Sequence, residues 1–98
     1  MFLHITEVKY LHDYQVEVTF NNGRKGIADL SSALKGPVFE PLKNPIEFSK
    51  IMIEKETETV AWPNGADLAP EFVYFQVFKS DPDLEPLFRK WGYFSKTG

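Results

Sequence analysis

The chain has 98 residues, no cysteine and a formal net charge of −3, with 43% hydrophobic and 15% aromatic residues. That length fits one domain, and the apolar share is enough for a core, which sets disorder aside. The lack of cysteine excludes disulfides, thiolate zinc sites and cysteine nucleophiles and suits a reducing cytoplasm.

The opening MFLHITEVKY lacks the basic segment and long apolar run of a secretory signal. No stretch approaches the roughly eighteen apolar residues needed to span a bilayer. Residues 1–50 hold six basic and six acidic residues, and residues 51–98 hold five and eight, so the negative balance falls in the second half. An acidic half disfavours a broad phosphate-binding surface and suits a basic partner.

In chain order, Leu3 to Leu11 reads as a first strand. Leu3 and Ile5 share one parity, Val8 and Tyr10 the other, so a bulge or change of neighbour is expected near Thr6 and Glu7. His12-Asp13 is the expected turn. Tyr14, Val16, Val18 and Phe20 then alternate with Gln15, Glu17 and Thr19, the period of two of a strand with one buried face. Asn21-Asn22-Gly23 tolerates the positive φ of a tight hairpin, and Arg24 to Leu30 returns as the partner strand.

Asp29 or Ser31 caps a short helix through Leu34, stopped by Gly36-Pro37. Phe39 and Leu42 are expected beneath the next loop. Pro45 opens a second helical turn carrying Ile46 and Phe48. Ile51 and Ile53 begin another strand, residues 54–57 form a polar turn, and Glu58 to Trp62 returns with Val60 and Trp62 on one face. Pro63-Asn64-Gly65 is a break.

Pro70 fits the first position of a helix, with Glu71 in its first turn. Residues 72–78 are apolar nearly all round, so a helix here must be buried on more than one side. A strand is the alternative, because the run is β-branched and aromatic. The preceding proline favours the helix. Asp81-Pro82 or Glu85-Pro86 restarts the chain, and Leu87 to Trp91 forms a last helical turn ended by Gly92. The expected fold is α+β: a small antiparallel sheet of four or five strands, short helices, and a C-terminal helix packed on the sheet.

Four groups of residues are candidates for chemistry or recognition. Trp62, Asn64, Asp67 and Glu71 form a possible ligand or partner loop, an aromatic platform beside an amide and two carboxylates. The simpler reading makes Trp62 core, Asn64-Gly65 a turn, and Asp67 a partner for loop or helix-start amides. His4 and His12 are eight residues apart and lack the spacing of a helical metal pair, and zinc wants at least three protein ligands. Glu54, Glu56 and Glu58 would line one face of an extended hairpin, either as a solvated, edge-protecting stripe or as a surface that steers a basic protein.

The fourth group is aromatic. Residues 72–94 hold eight of the fifteen aromatics. Of these, Phe88, Trp91, Tyr93 and Phe94 exceed what one sheet face needs, so they either wrap the core or anchor a protein interface. The sequence carries no G-x-S-x-G elbow, P-loop or G-x-G-x-x-G. No catalytic, cofactor-binding or metal-binding residue is assigned.

The ordered string Trp62-Pro63-Asn64-Gly65-Ala66-Asp67-Leu68-Ala69-Pro70-Glu71 is distinctive. Together with Asp13-Tyr14, Phe20-Asn21-Asn22-Gly23, Asp29-Leu30 and Gly36-Pro37-Val38-Phe39, it resembles domain-of-unknown-function family 2442 (DUF2442) of small bacterial proteins. The resemblance covers about residues 3–76, leaving residues 77–98 as an aromatic extension of one domain. It implies a compact α+β fold and carries over no catalytic residue. Some members of that family are fused to a helix-turn-helix domain; others look like partners of a small protein encoded next door, as in toxin–antitoxin pairs. Residues 79–98 are too few for a helix-turn-helix domain, and the only basic pair near a helix there is Arg89-Lys90. The function expected is therefore a non-enzymatic accessory domain that binds a protein partner or a second copy of itself and is antitoxin-like in a two-gene module. A DNA-binding regulator is the alternative, and a small-molecule enzyme has least support.

Overall fold

The alternation at residues 14–20 becomes the centre of the fold. In the computed structural model, which describes residues 2–93, β2 (Gln15–Phe20) lies between β1 (Ile5–His12) and β3 (Lys25–Asp29) in an antiparallel sheet. Val16, Val18 and Phe20 are buried, whereas Gln15, Glu17 and Thr19 are half-buried on the other face. The expected irregularity in β1 is present as a register shift between Ile5 and Glu7, with a second between Tyr10 and His12. Gly23 closes the hairpin at φ +87°, its N–H donating to Phe20 O at 3.0 Å. Asn21 accepts from His4 N and donates to Phe2 O, tying the start of the chain to that turn.

Asp29 Oδ1 accepts from Ser31 N at 2.9 Å and leads into a 3-10 turn at Ser31–Ala33. A second 3-10 turn, Glu40–Lys43, precedes α1 (Pro45–Phe48), whose Asn44 cap accepts from Ile46 N. Phe48 of this single turn is buried and Ile46 points to solvent. β4 (Met52–Glu54) and β5 (Thr59–Ala61) pair in a separate two-stranded sheet, so the strands number five in a 3+2 arrangement. Ile5 N donates to Glu58 O at 2.9 Å and joins the two sheets.

Residues 70–78 form a helix, α2 (Pro70–Phe78), with Pro70 in its first turn. Its all-round apolar character has two partners. On one side lies the three-stranded sheet, where Phe20 and Tyr74 meet edge-on at 4.8 Å. On the other lies α3 (Glu85–Trp91), reached through a 3-10 turn at Pro82–Leu84. Phe75 meets Phe88 edge-on at 5.1 Å, and Tyr74 meets both Phe88 and Trp91 at 6.2 Å. Buried residues from both sheets and from α1, α2 and α3 join one cluster, among them Val18, Val60, Phe48, Val73 and Phe88. Among the described residues, no helix is long and apolar enough to cross a membrane.

The approach of α2 to the sheet requires glycine at position 26. A Cβ there would lie 2.4 Å from Val77 Cγ1, closer than carbon atoms can pack. Gly26→Ala is expected to destabilise by about 1–3 kcal/mol through overpacking. Adding Val77→Ala should recover part of that loss, and the coupling is read from denaturant unfolding of the two single variants and the double.

Candidate functional site

Trp62 is not a recognition platform. It is 1% exposed, and its Nε1–H donates to Phe48 O at 2.9 Å. Phe48 and Phe39 flank the indole with ring centroids at 5.6 and 6.2 Å. The loop that follows closes on itself: Trp62 N donates to Ala66 O, Gly65 N to Trp62 O, and Ala66 N to Asn64 Oδ1. Asn64 Nδ2 also donates to Val38 O at 2.9 Å, which pins the loop to residues 36–39. Asp67 is exposed, and its backbone bridges to Ala61. Of the four residues proposed as a loop site, one is core and one is a turn-former, and the four do not converge.

The acidic stripe is also corrected. β4 and β5 are only three residues long, so Glu54 ends a strand while Glu56 and Glu58 lie in the turn. Glu58 curls back at φ +55°, its N–H donating to Glu54 O at 2.7 Å. Glu54 Oε1 accepts from Glu56 N, and Glu58 Oε2 pairs with His4 Nδ1 at 3.0 Å. His12 pairs with Asp13 at 3.1 Å. Among the described residues, no group of three or more His, Asp or Glu could hold a metal ion.

The C-terminal aromatics divide. Phe88 is fully buried between α2 and α3, so it belongs to the core and not to an interface. Trp91 and Tyr93 are half-buried, and Phe94 lies outside the described residues. Gly92 ends α3 at φ +87°, and Tyr93 N reaches back to Phe88 O at 3.0 Å. This turn lays Tyr93 against α2, stacked on Phe75 at 5.0 Å and edge-on to Phe72 at 6.2 Å.

The result is a recess of about 330 Å³ lined by Ala69, Glu71, Trp91 and Tyr93. It joins one member of the proposed loop to two members of the proposed interface. Trp91 and Tyr93 stand at right angles to each other, 6.3 Å apart. Burial, and next the Glu71 carboxylate, push the Tyr93 hydroxyl above its ordinary pKa. Aromatic rings beside a carboxylate suit a cation, an ammonium or a guanidinium. The contact between α2 and α3 creates this grouping; in sequence, Glu71 and Trp91 are far apart, and Gly92 was the one hint that the chain turns back.

A second, larger recess of about 480 Å³ went unnoticed in the sequence. Glu7, Lys9, Glu17 and Thr19 of the outer sheet face form its floor, and residues 51–53 form its wall. Its signal was the set of polar positions alternating with the core residues of β1 and β2. The lining mixes both charges with apolar groups and contains no aromatic ring.

Two measurements check this anatomy. Trp62→Ala should cost about 3–5 kcal/mol in thermal or denaturant unfolding, as for a large buried aromatic. In an absorbance titration, the Tyr93 phenolate should appear at higher pH than that of a free tyrosine, and Glu71→Gln should bring it part of the way down. Because the folded pKa is raised, stability from neutral Tyr93 is complete below the unfolded value near 10.0 and is lost as pH rises through the folded value.

No curated protein matches the sequence. The fold is similar to the crystal structure of "Putative DNA Binding Protein NE0471" from Nitrosomonas europaea, with a TM-score of 0.73 at 20% identity. The likeness takes in 99% of this chain and 65% of that one, and at such identity it speaks for the fold alone. The family described as "Protein of unknown function (DUF2442)" matches residues 5–79, from the start of β1 to the end of α2. With that much of its length matched, the chain belongs to the DUF2442 family.

Proposed function

We propose that the chain is a non-enzymatic accessory domain that binds a protein partner, gripping a basic side chain in the recess of Ala69, Glu71, Trp91 and Tyr93. The observation that carries this reading is the meeting of one carboxylate with two half-buried aromatic rings. Half-buried aromatics at the centre of a recess are typical interface anchors. The net charge of −3 draws a basic partner toward the surface. The antitoxin-like member of a two-gene module is one biological form of such a domain.

Direct DNA contact is the second reading, favoured by the name of the Nitrosomonas europaea protein of similar fold. The basic pair that would serve it is Arg89-Lys90, exposed in the last turn of α3. Arg89 is already engaged by Glu85, Nη2 to Oε1 at 2.7 Å. The acidic balance also opposes phosphate binding.

The test uses a labelled arginine-rich peptide and its glutamine-substituted counterpart in an anisotropy titration. The arginine peptide should bind and the glutamine peptide should not. Glu71→Gln or Trp91→Ala should weaken binding about fivefold to tenfold, as expected for the loss of one cation–π or charge contact. Equal binding by wild type and both variants would sink the recess as the site. Salt-resistant, sequence-selective binding of duplex DNA would favour the second reading instead.

A further inference from the structure

We infer that two copies of the chain pair along β3, antiparallel and centred on Ile27, so that their three-stranded sheets join into one. This surface is separate from the recess of Glu71, Trp91 and Tyr93, and the inference goes beyond the proposed function.

The strand order leaves β3 with β2 on one side and, among the described residues, no strand on the other. In an antiparallel pair, residues alternate between exchanging hydrogen bonds with the partner strand and pointing their N–H and C=O away from it. The phase is fixed here. Phe20 N donates to Arg24 O at 2.8 Å and Leu30 N to Tyr14 O at 2.9 Å, and the pairs between them are Val18 with Gly26 and Val16 with Ala28. Those residues bond inward, so Lys25, Ile27 and Asp29 direct their backbone groups to the free edge. Their side chains lie on the outer sheet face, and all three are exposed, Ile27 by 52%.

The strand is complementary to itself. Antiparallel pairing about Ile27 sets Ile27 against its own copy and Lys25 against Asp29 of the partner, twice over by symmetry. All three outward-pointing residues then meet as bonded pairs, giving about six hydrogen bonds between the chains. Side chains of directly opposed residues share a face, so each Lys25 ammonium reaches the partner's Asp29 carboxylate. Asp29 bonds Ser31 N through Oδ1 and also feels the Ser31 side chain and Lys79, yet its carboxylate stays exposed and within reach of the partner's lysine. Among the described residues Lys25 has no ion pair of its own. A register slipped by two residues would place Lys25 against Ile27 and lose both charge pairs, so the pattern selects the centred register. In a monomer, Lys25 and Asp29 would act only as charged guards of an open edge.

Sedimentation and light scattering of the whole chain over a range of concentrations should show a reversible monomer–dimer equilibrium. Amide exchange should slow with concentration at Ile27, Asp29 and Lys25, and stay unchanged at Gly26 and Ala28. Lys25→Glu alone and Asp29→Lys alone should each weaken the dimer about tenfold, because each places like charges together twice. Mixing the two variants should restore association to within about threefold of wild type, since the mixed dimer opposes unlike charges at both ends. Thermal melts establish that each variant is folded. Ile27→Lys, at an exposed position, should give a folded monomer. A chain that stays monomeric at every concentration would overturn the inference. So would a dimer indifferent to Ile27→Lys, or a mixture no better associated than its components. Loss of peptide binding with the dimer intact would overturn the proposed function alone, and the reverse result would overturn the pairing alone.

Discussion

The rest of the molecule depends on satisfying one buried donor. An indole N–H taken from water must find an acceptor, and Trp62 finds the carbonyl of Phe48 at the end of α1. The same carbonyl accepts from Ile51 N, so it also fixes the exit from α1 into β4. Phe48 in turn meets the rings of Tyr10 in β1 at 6.0 Å and of Tyr14 in the β1–β2 turn at 5.2 Å. A single-turn helix has little stability of its own. Here it serves as the joint through which the two sheets, only one of them more than two strands wide, become parts of one core.

That arrangement explains where recognition chemistry can sit. The long loop from Pro63 to Ala69 is held by its own backbone hydrogen bonds and by Asn64, whose side chain serves the turn and ties it to Val38. The two surfaces proposed for partners lie where elements meet late in the chain or end without a neighbouring strand. One such place is the angle between the start of α2 and the end of α3; the other is the outer edge of β3. The first is acidic and aromatic, and the second carries both signs of charge around an exposed isoleucine.

Much of the fold was legible because local signals agreed with one another. The period-two run at residues 14–20, the Asn21-Asn22-Gly23 hairpin and Pro70 at a helix start each act over a few residues, and each is found where expected. The burial of Trp62 followed from its partnership with Val60. What stayed hidden depends on distant contacts. The need for glycine at 26 comes from Val77, the burial of Phe88 comes from α2, and the Glu71–Trp91–Tyr93 grouping comes from the α2–α3 crossing. The acidic residues misled because alternation implies a strand face only when the strand is long enough. Here the turn over residues 55–58, closed by Glu58 N on Glu54 O, ends β4 after three residues.

The all-round apolar character of α2 separates the unit of ancestry from the unit of folding. The family match ends at residue 79, just past α2, yet Phe75 and Tyr74 on that helix are covered by Phe88 and Trp91, which lie beyond it. A shared segment cut at its boundary would present a greasy helix flank to water. Any relative that keeps α2 as apolar as this one must supply its own cover from outside the shared segment. In this chain the cover comes from α3, outside the matched segment, so removing residues after 79 would bare Tyr74 and Phe75 and cost the fold part of its core.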